Sequence, residues 1–245
     1  MIKLKNFIRK VRLIPGFLFF LTGFLACDAT PVLITLNGET MGTTYLVKIA
    51  NDGIDTAKGC ILKTQIDSIL IDFNSIVSTY DPNSEISVFN QYYGIEKQSV
   101  SNIFKNILSQ AFEIYRESKG AFDITVHPLV NLWGFGKDGR RWNPPEDHEI
   151  KKVMSSIGSQ KLQLRSNGLV KRNPSIEIDL SAIAKGYGVD LLTEFLRSKN
   201  YRNFMVEIGG EVYCSGKNGQ TSWKLGIQSP MALMGKVGTI EAILN

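Results

Sequence analysis

A chain of 245 residues with 43% hydrophobic and 21% charged content can bury one large core or two small ones. No low-complexity tract or internal repeat interrupts it. The net charge of +5 is local: five of the 28 Lys and Arg residues stand in the first twelve positions, and the other 23 balance the 23 acids. That balance excludes a broad nucleic-acid surface, which needs clustered excess Lys and Arg.

The basic start (Lys3, Lys5, Arg9, Lys10, Arg12) precedes an apolar run from Leu13 to Ala26, broken by Pro15, Gly16 and Gly23. The run is short for a membrane span of roughly 20 residues. It predicts a secretory signal over residues 1–26. Leu25-Ala26-Cys27 resembles a bacterial lipoprotein box, with Phe24 where such boxes usually carry Leu. That resemblance implies that Cys27 is lipidated and becomes the new N-terminus. Residues 27–37 then form a tether, and residues 38–245 the folded domain. Asp28, by the Gram-negative sorting pattern, implies an inner-membrane anchor facing the periplasm. Two further cysteines remain, Cys60 and Cys214. Export permits a disulfide, and two separate buried thiols are the expectation.

In chain order, Val32 to Leu36 alternates as a strand, and Asn37-Gly38 gives a turn signal. Thr43 to Ile49 is β-branched and aromatic and predicts the next strand. Asp55 caps a helix from Thr56 to about Val77, with Leu62, Ile66, Ile69, Leu70 and Phe73 on one face. Residues 78–83 read as a loop. Ser101 caps a second helix, which Gly120 ends in the C′ position. A third helix runs from Glu146 to Ile157 and stops at Gly158. Lys161 to Leu164 and Ile176 to Leu180 read as strands, with Asn167-Gly168 as a possible hairpin turn between them. A fourth helix follows Lys185. Phe204 to Ile208 is a strand ending at Gly209-Gly210, and Val212 to Ser215 and Trp223 to Gln228 are further strands.

Strands and helices mix without a strict βαβ rhythm. The fold class is therefore α+β, a mixed and largely antiparallel sheet core with packed helices. A GxGxxG in the strand-to-helix setting of a dinucleotide fold and a Walker A loop are both absent from the sequence; the string Gly134 to Gly139 follows no predicted strand.

The chemistry-bearing segments set small residues beside a polar group at an element end, where a ligand can approach backbone closely. They are Met41-Gly42-Thr43, Ser78-Thr79-Tyr80-Asp81-Pro82, Gly120-Ala121-Phe122-Asp123-Ile124-Thr125, Pro128 to Gly136, Asp179 to Asp190, and Val206 to Gly210. In Asp179-Leu180-Ser181-Ala182-Ile183-Ala184-Lys185, a carboxylate closes an apolar stretch and a helix opens. Backbone groups freed at such a junction can grip a phosphate or its metal.

In this order the segments resemble the ApbE family of flavin transferases, from about Gly38 to Asn245. The resemblance implies an FAD:protein FMN transferase. Such an enzyme cuts the FAD pyrophosphate, moves FMN to a Thr or Ser hydroxyl of an acceptor flavoprotein subunit, and releases AMP. This is phosphoryl transfer, in which the protein positions groups and neutralises charge. The resemblance further implies Mg²⁺, a hard cation taking oxygen ligands. Residue by residue, it implies that Met41 and Tyr80 pack on the flavin-adenine ligand. Ala121, Phe122 and Asp123 form part of its wall, and Asp179 hydrogen-bonds it. Ala182 gives its backbone carbonyl to the metal, and Lys185 reaches the phosphate region. No catalytic residue in the stricter sense is assigned. His127 stands where the family commonly has a small residue and reads as a tolerated variant beside Pro128.

Family members continue past the point equivalent to Asn245. They carry there a His, an Asp-Pro-x-Thr-Gly turn, and an Asp and Thr that complete the metal shell. Nothing after Gly235 resembles that part, so the expectation is a C-terminally incomplete transferase that turns over poorly. The alternatives are a membrane-tethered, non-catalytic flavin-binding remnant, and an FAD pyrophosphatase giving FMN and AMP.

Overall fold

The computed structural model describes residues 33–50, 55–136, 139–166, 168–229 and 240–244. The Leu13 to Ala26 run, Cys27 and the first part of the tether lie outside these residues. Among the described residues no helix is long and apolar enough to cross a membrane.

Strands β1 (Leu33–Thr40) and β2 (Thr43–Ala50) form a hairpin. Its two turn residues, Met41 and Gly42, have φ of 49° and 69°, the left-handed pair that matches the twist of the flanking strands. The turn expected at Asn37-Gly38 is not there, and β1 runs straight through it. Gly38 instead pairs with Tyr45. A Cβ at Gly38 would lie 2.5 Å from the Tyr45 ring, so the glycine makes room for an aromatic cross-strand neighbour. Strands β5 (Phe204–Ile208) and β6 (Glu211–Ser215) complete an antiparallel sheet of order β1-β2-β5-β6. A second tight turn, Gly209-Gly210, lies at the same end as Met41-Gly42, because Tyr45 pairs with Ile208.

Helices α1 (Thr56–Val77) and α6 (Ser181–Ser198) cover this sheet. Asp55 caps α1 as expected, accepting from the Lys58 N–H at 2.8 Å. Tyr45, Val47, Ile66, Leu70, Leu192, Phe204 and Val206 form the core between sheet and helices. A second core joins the C-terminal half of α1 to α2 (Glu85–Gln91), α3 (Asn102–Glu117) and the start of α6. Helix α2 had no counterpart in the sequence reading. Ser84 caps it, accepting from the Ser87 N–H at 3.2 Å. The end of α3 differs by one residue from expectation. Lys119, at φ 54°, occupies C′, and Gly120 follows as C″, donating to the Tyr115 carbonyl at 2.8 Å.

Helix α4 (His127–Leu132) follows a 3₁₀ turn at Ile124–Val126. Helix α5 (Asp147–Met154) ends three residues before the expected stop. Strand β3 (Leu162–Arg165) pairs with β4 (Gly168–Lys171), not with residues 176–180. Ile176 to Leu180 was read as a strand because Ile176, Ile178 and Leu180 alternate inward. All three are buried, yet the segment joins no ladder. The Asn90 side chain takes the place of a neighbouring strand: its amide donates to the Ile178 carbonyl at 2.8 Å and its oxygen accepts from the Ile178 N–H at 2.7 Å. The Asp179 N–H donates to the Ile124 carbonyl at 2.7 Å. Helix α6 therefore begins at Ser181, a full turn before Lys185.

Strands β7 (Leu225–Gln228) and β8 (Ile240–Leu244) form a separate hairpin. Cys60 and Cys214 are both free thiols. Neither is buried as expected: Cys214 is half-buried, and Cys60 is exposed because it lies on the solvent side of α1, away from Leu62 and Ile66.

Candidate active site

The loop after α1, the segment after α3 and the start of α6 converge on an open cavity of about 490 Å³, within the range of small-ligand sites. Tyr80, Ala121, Phe122 and Asp123 line one side, and Asp179 and Ala182 the other. Six of the eight ligand or metal residues read from the sequence thus meet at one place. The other two, Met41 and Lys185, are absent from its lining.

Met41 packs against both hydrophobic cores and lies over α6, where a Cβ at Gly188 would come 3.0 Å from its Cε. Lys185 Nζ donates to the Gly209 carbonyl at 3.4 Å. A Cβ at Gly209 would lie 2.7 Å from Thr43 and 3.0 Å from Lys185. Met41, Thr43, Lys185 and Gly209 therefore form a second cluster at the sheet end, one helical turn along α6 from the cavity. A left-handed φ on Met41 costs of order 1–3 kcal/mol for a non-glycine residue, which packing into both cores offsets.

The Asp123 carboxylate is a bracket. Oδ1 accepts from the Thr125 N–H at 2.8 Å, the Thr125 hydroxyl at 2.7 Å and the Ser159 hydroxyl at 2.6 Å; Oδ2 accepts from the Ser159 N–H at 2.9 Å. Thr125 in turn accepts from the Gly158 N–H at 2.7 Å. Asp123 thereby ties the cavity wall to the segment before β3, with both carboxylate oxygens bonded to protein donors.

Asp179 is 8% exposed. Oδ1 accepts from the Ser181 N–H at 2.7 Å, satisfying one orphan donor of α6, whose N-cap Leu180 has no side-chain bond. Oδ2 lies 3.5 Å from Nδ1 of the buried His127. Burial pushes the Asp179 carboxyl up, but His127 and the Ser181 hydroxyl and N–H outweigh it, and the net direction is down. The cavity thus holds a carboxylate beside the open end of a helix. Ser181 and Ala182, both exposed, present that end, where the aligned peptide dipoles favour an anion.

The whole chain from Met41 onward carries one family signature: the profile of the ApbE family matches residues 41–245. The chain belongs to the ApbE family. An FAD:protein FMN transferase of Haemophilus influenzae is 40% identical over 211 residues, covering 84% of this chain and 61% of the relative. One from Vibrio cholerae is 40% identical over 206 residues, covering 83% and 61%. Among solved structures, the flavin transferase ApbE from Vibrio cholerae superposes with a TM-score of 0.79 at 38% identity, covering 87% of this chain and 68% of that one. The apo form of the Pseudomonas stutzeri flavinyl transferase ApbE gives 0.76 at 31% identity, with 81% and 66% covered. The chain spans about three fifths of the length of these curated relatives. The ApbE likeness bears out the α+β class and its mixed, largely antiparallel core.

Three features of this ApbE site were not singled out from sequence. Phe135 stands 76% exposed at the cavity rim beside Tyr80 at 68%, so two aromatic faces border the opening. The sequence signal was an aromatic between Gly134 and Gly136. Asn90 holds the segment that carries Asp179, and nothing local marks it, because its partner is 88 residues away. His127, read as a tolerated variant, is buried against Asp179 and Asn131.

Proposed function

We propose that this chain is an FAD:protein FMN transferase, moving FMN from FAD to a Thr or Ser hydroxyl of an acceptor flavoprotein subunit and releasing AMP. The observation that carries the reading is the convergence of Tyr80, the Ala121-Phe122-Asp123 wall and the Asp179–Ala182 helix start on one cavity. The relatives' shared name supports it. Tyr80 and Phe135 offer flat apolar faces for a stacked ring. The α6 N-terminus receives phosphate oxygens, and Lys185 supplies a cation one turn further on. Asp179 accepts a hydrogen bond from the ligand.

Around the helix start the Asp179 carboxylate, the Ser181 hydroxyl and the Ala182 carbonyl belong to residues that line the cavity, and hard oxygen ligands of this kind suit Mg²⁺. Among the described residues no group of three or more His, Cys, Asp or Glu side chains could hold a metal unaided. Ala182 would give its carbonyl as one ligand, and phosphate oxygens would give others. A bound Mg²⁺ would neutralise charge developing on the pyrophosphate. The protein's own groups hold the flavin and orient the phosphates.

The test incubates the protein with FAD, magnesium and an acceptor protein carrying a target threonine, and looks for flavin fluorescence on the acceptor in a denaturing gel. Covalent fluorescence that needs magnesium supports the transferase. FMN and AMP released without labelling would replace it with a hydrolase, and FAD bound without cleavage would leave a flavin-binding module. The basic leader, its apolar run and the Leu25-Ala26-Cys27 box support lipidation at Cys27 and an inner-membrane anchor facing the periplasm. Labelled palmitate attaching to the wild type and not to Cys27→Ala is the expected result, and label surviving the substitution overturns it.

A further inference from the structure

His127 is the buried titratable group that the proposed reaction leaves unused. It is 4% exposed at the start of α4, and its Nδ1 has no hydrogen-bond partner within ordinary distance. Nδ1 faces Asp179 Oδ2 at 3.5 Å. On the other side of the ring, Nε2 lies 3.1 Å from the Asn131 amide nitrogen and 3.7 Å from Glu177 Oε2. In the tautomer that pairs this amide nitrogen with Nε2, Nε2 is the acceptor. The ring proton of a neutral imidazole then sits on Nδ1, aimed at the Asp179 carboxylate. The opposite tautomer would set the Nδ1 lone pair against Oδ2 inside a buried site, an unfavourable pairing. The helical spacing of Asn131, four residues after His127, fixes the order Asn131 amide to imidazole to carboxylate.

Asp179 is held at two points. The Ser181 N–H fixes Oδ1, and the ring of His127 limits where Oδ2 can turn. The carboxylate lines the cavity, so its rotation sets which lone pairs a ligand meets. We propose that His127 is a positioning residue: its Nδ1–H orients Asp179 so that the carboxylate presents a fixed acceptor to the bound flavin nucleotide. This rests on the flavin reading of the cavity. It assigns to His127 a part in the site that its reading as a tolerated variant did not.

Two amides separate the two ring nitrogens. The amide nitrogen of Asn at position 127 falls where Nδ1 was, and that of Gln falls near Nε2. A role of filling buried volume would favour Gln, the larger side chain. A role through Nδ1 favours Asn. The expected result is that His127→Asn binds FAD within about threefold of wild type. His127→Gln and His127→Ala should bind roughly tenfold more weakly, because Asp179 Oδ2 loses the group that limits its rotation. Melting temperatures read in parallel should rank the variants differently from their affinities. Nitrogen-15 NMR of the ligand-free wild type should show the proton on Nδ1. Equal affinities for all variants, or Gln outperforming Asn, overturns the proposal, as does a ring protonated on Nε2. Wild-type protein that binds no FAD yet carries the Nδ1 proton would overturn the flavin reading and leave the His127–Asp179 contact standing.

Discussion

The β1-β2-β5-β6 sheet and the 176–180 segment beside the cavity both bury apolar side chains but are held by different bonds. In the sheet, each strand is bound to its neighbours through a continuous backbone ladder. In the segment, the Ile178 backbone is held by one side chain, Asn90, and the Asp179 N–H by the Ile124 carbonyl. A ladder spreads its stability over many residues, whereas the cavity wall hangs on a few. The same difference frees the Asp179 carboxylate and the α6 N-terminus from sheet pairing, which leaves them available to a ligand.

The largest expected effect lies on the sheet side. Phe204 is fully buried, and Phe204→Ala should cost about 4 kcal/mol through lost burial and a cavity. FAD affinity of the remaining folded protein should not change. Urea denaturation beside flavin-fluorescence titration checks both, and weakened binding at full folding would erase the contrast. Asn90→Ala is the matching test on the other side. It leaves a buried N–H and a buried carbonyl unpaired, at about 3 kcal/mol together. Here flavin affinity should fall beyond what the lost stability explains. An Asn90→Ala protein that binds FAD normally would show that the wall does not depend on this clamp.

Lys171 sharpens the comparison, because its buried amine donates to the Asn90 and Tyr92 carbonyls at 3.3 and 2.8 Å and reinforces the same corner. Burial pushes its pKa down to about 8 from 10.5, only partly opposed by Glu177. The unfolded chain therefore binds more protons than the folded one between about pH 8 and 10.5. Stability should rise with pH across that window, and the penalty should be fully present below it. The rise should approach roughly 3 kcal/mol. Lys171→Met should abolish it, and denaturation curves across the alkaline range decide the matter. A flat profile in the wild type would mean that the amine is better solvated than its burial indicates.

Periodic segments were legible in the sequence because their partners are local or repetitive. Thr56–Val77 carried its cap and its apolar face in plain order, and Phe204–Ile208 ended at a Gly-Gly turn. Most cavity residues were legible only as motifs in a family resemblance, since Tyr80, Ala121 and Asp179 come from distant parts of the chain. Two misreadings share one cause. Asn37-Gly38 has turn chemistry, but tertiary packing used the glycine to seat Tyr45. Ile176–Leu180 has strand periodicity, but its hydrogen bonds went to Asn90. The contact between His127 and Asp179 likewise has no local signal, because the two residues stand 52 positions apart. Local patterning reports which face of a segment is buried, not which group satisfies its backbone.

The smallest effect returns to the hairpin. The Tyr45 hydroxyl donates to Asp67 Oδ1 at 2.5 Å, and Lys63 Nζ bonds the other carboxylate oxygen at 2.7 Å. The ring itself is 1% exposed and stacked over Gly38. Burial first, and then the Asp67 hydrogen bond, push the Tyr45 phenol up to about 12. Asp67→Asn removes the charge and the stronger acceptor but not the burial. Phenolate absorbance should then show Tyr45 titrating somewhat lower, yet still above an exposed tyrosine. Stability should fall by about 1 kcal/mol or less, because Lys63 and Asp67 are both substantially exposed. The ladder through Gly38 and Tyr45 carries the hairpin without them. A loss as large as that of Asn90→Ala would mean that this sheet, too, depends on one side-chain tie, and the contrast between the two regions would fail.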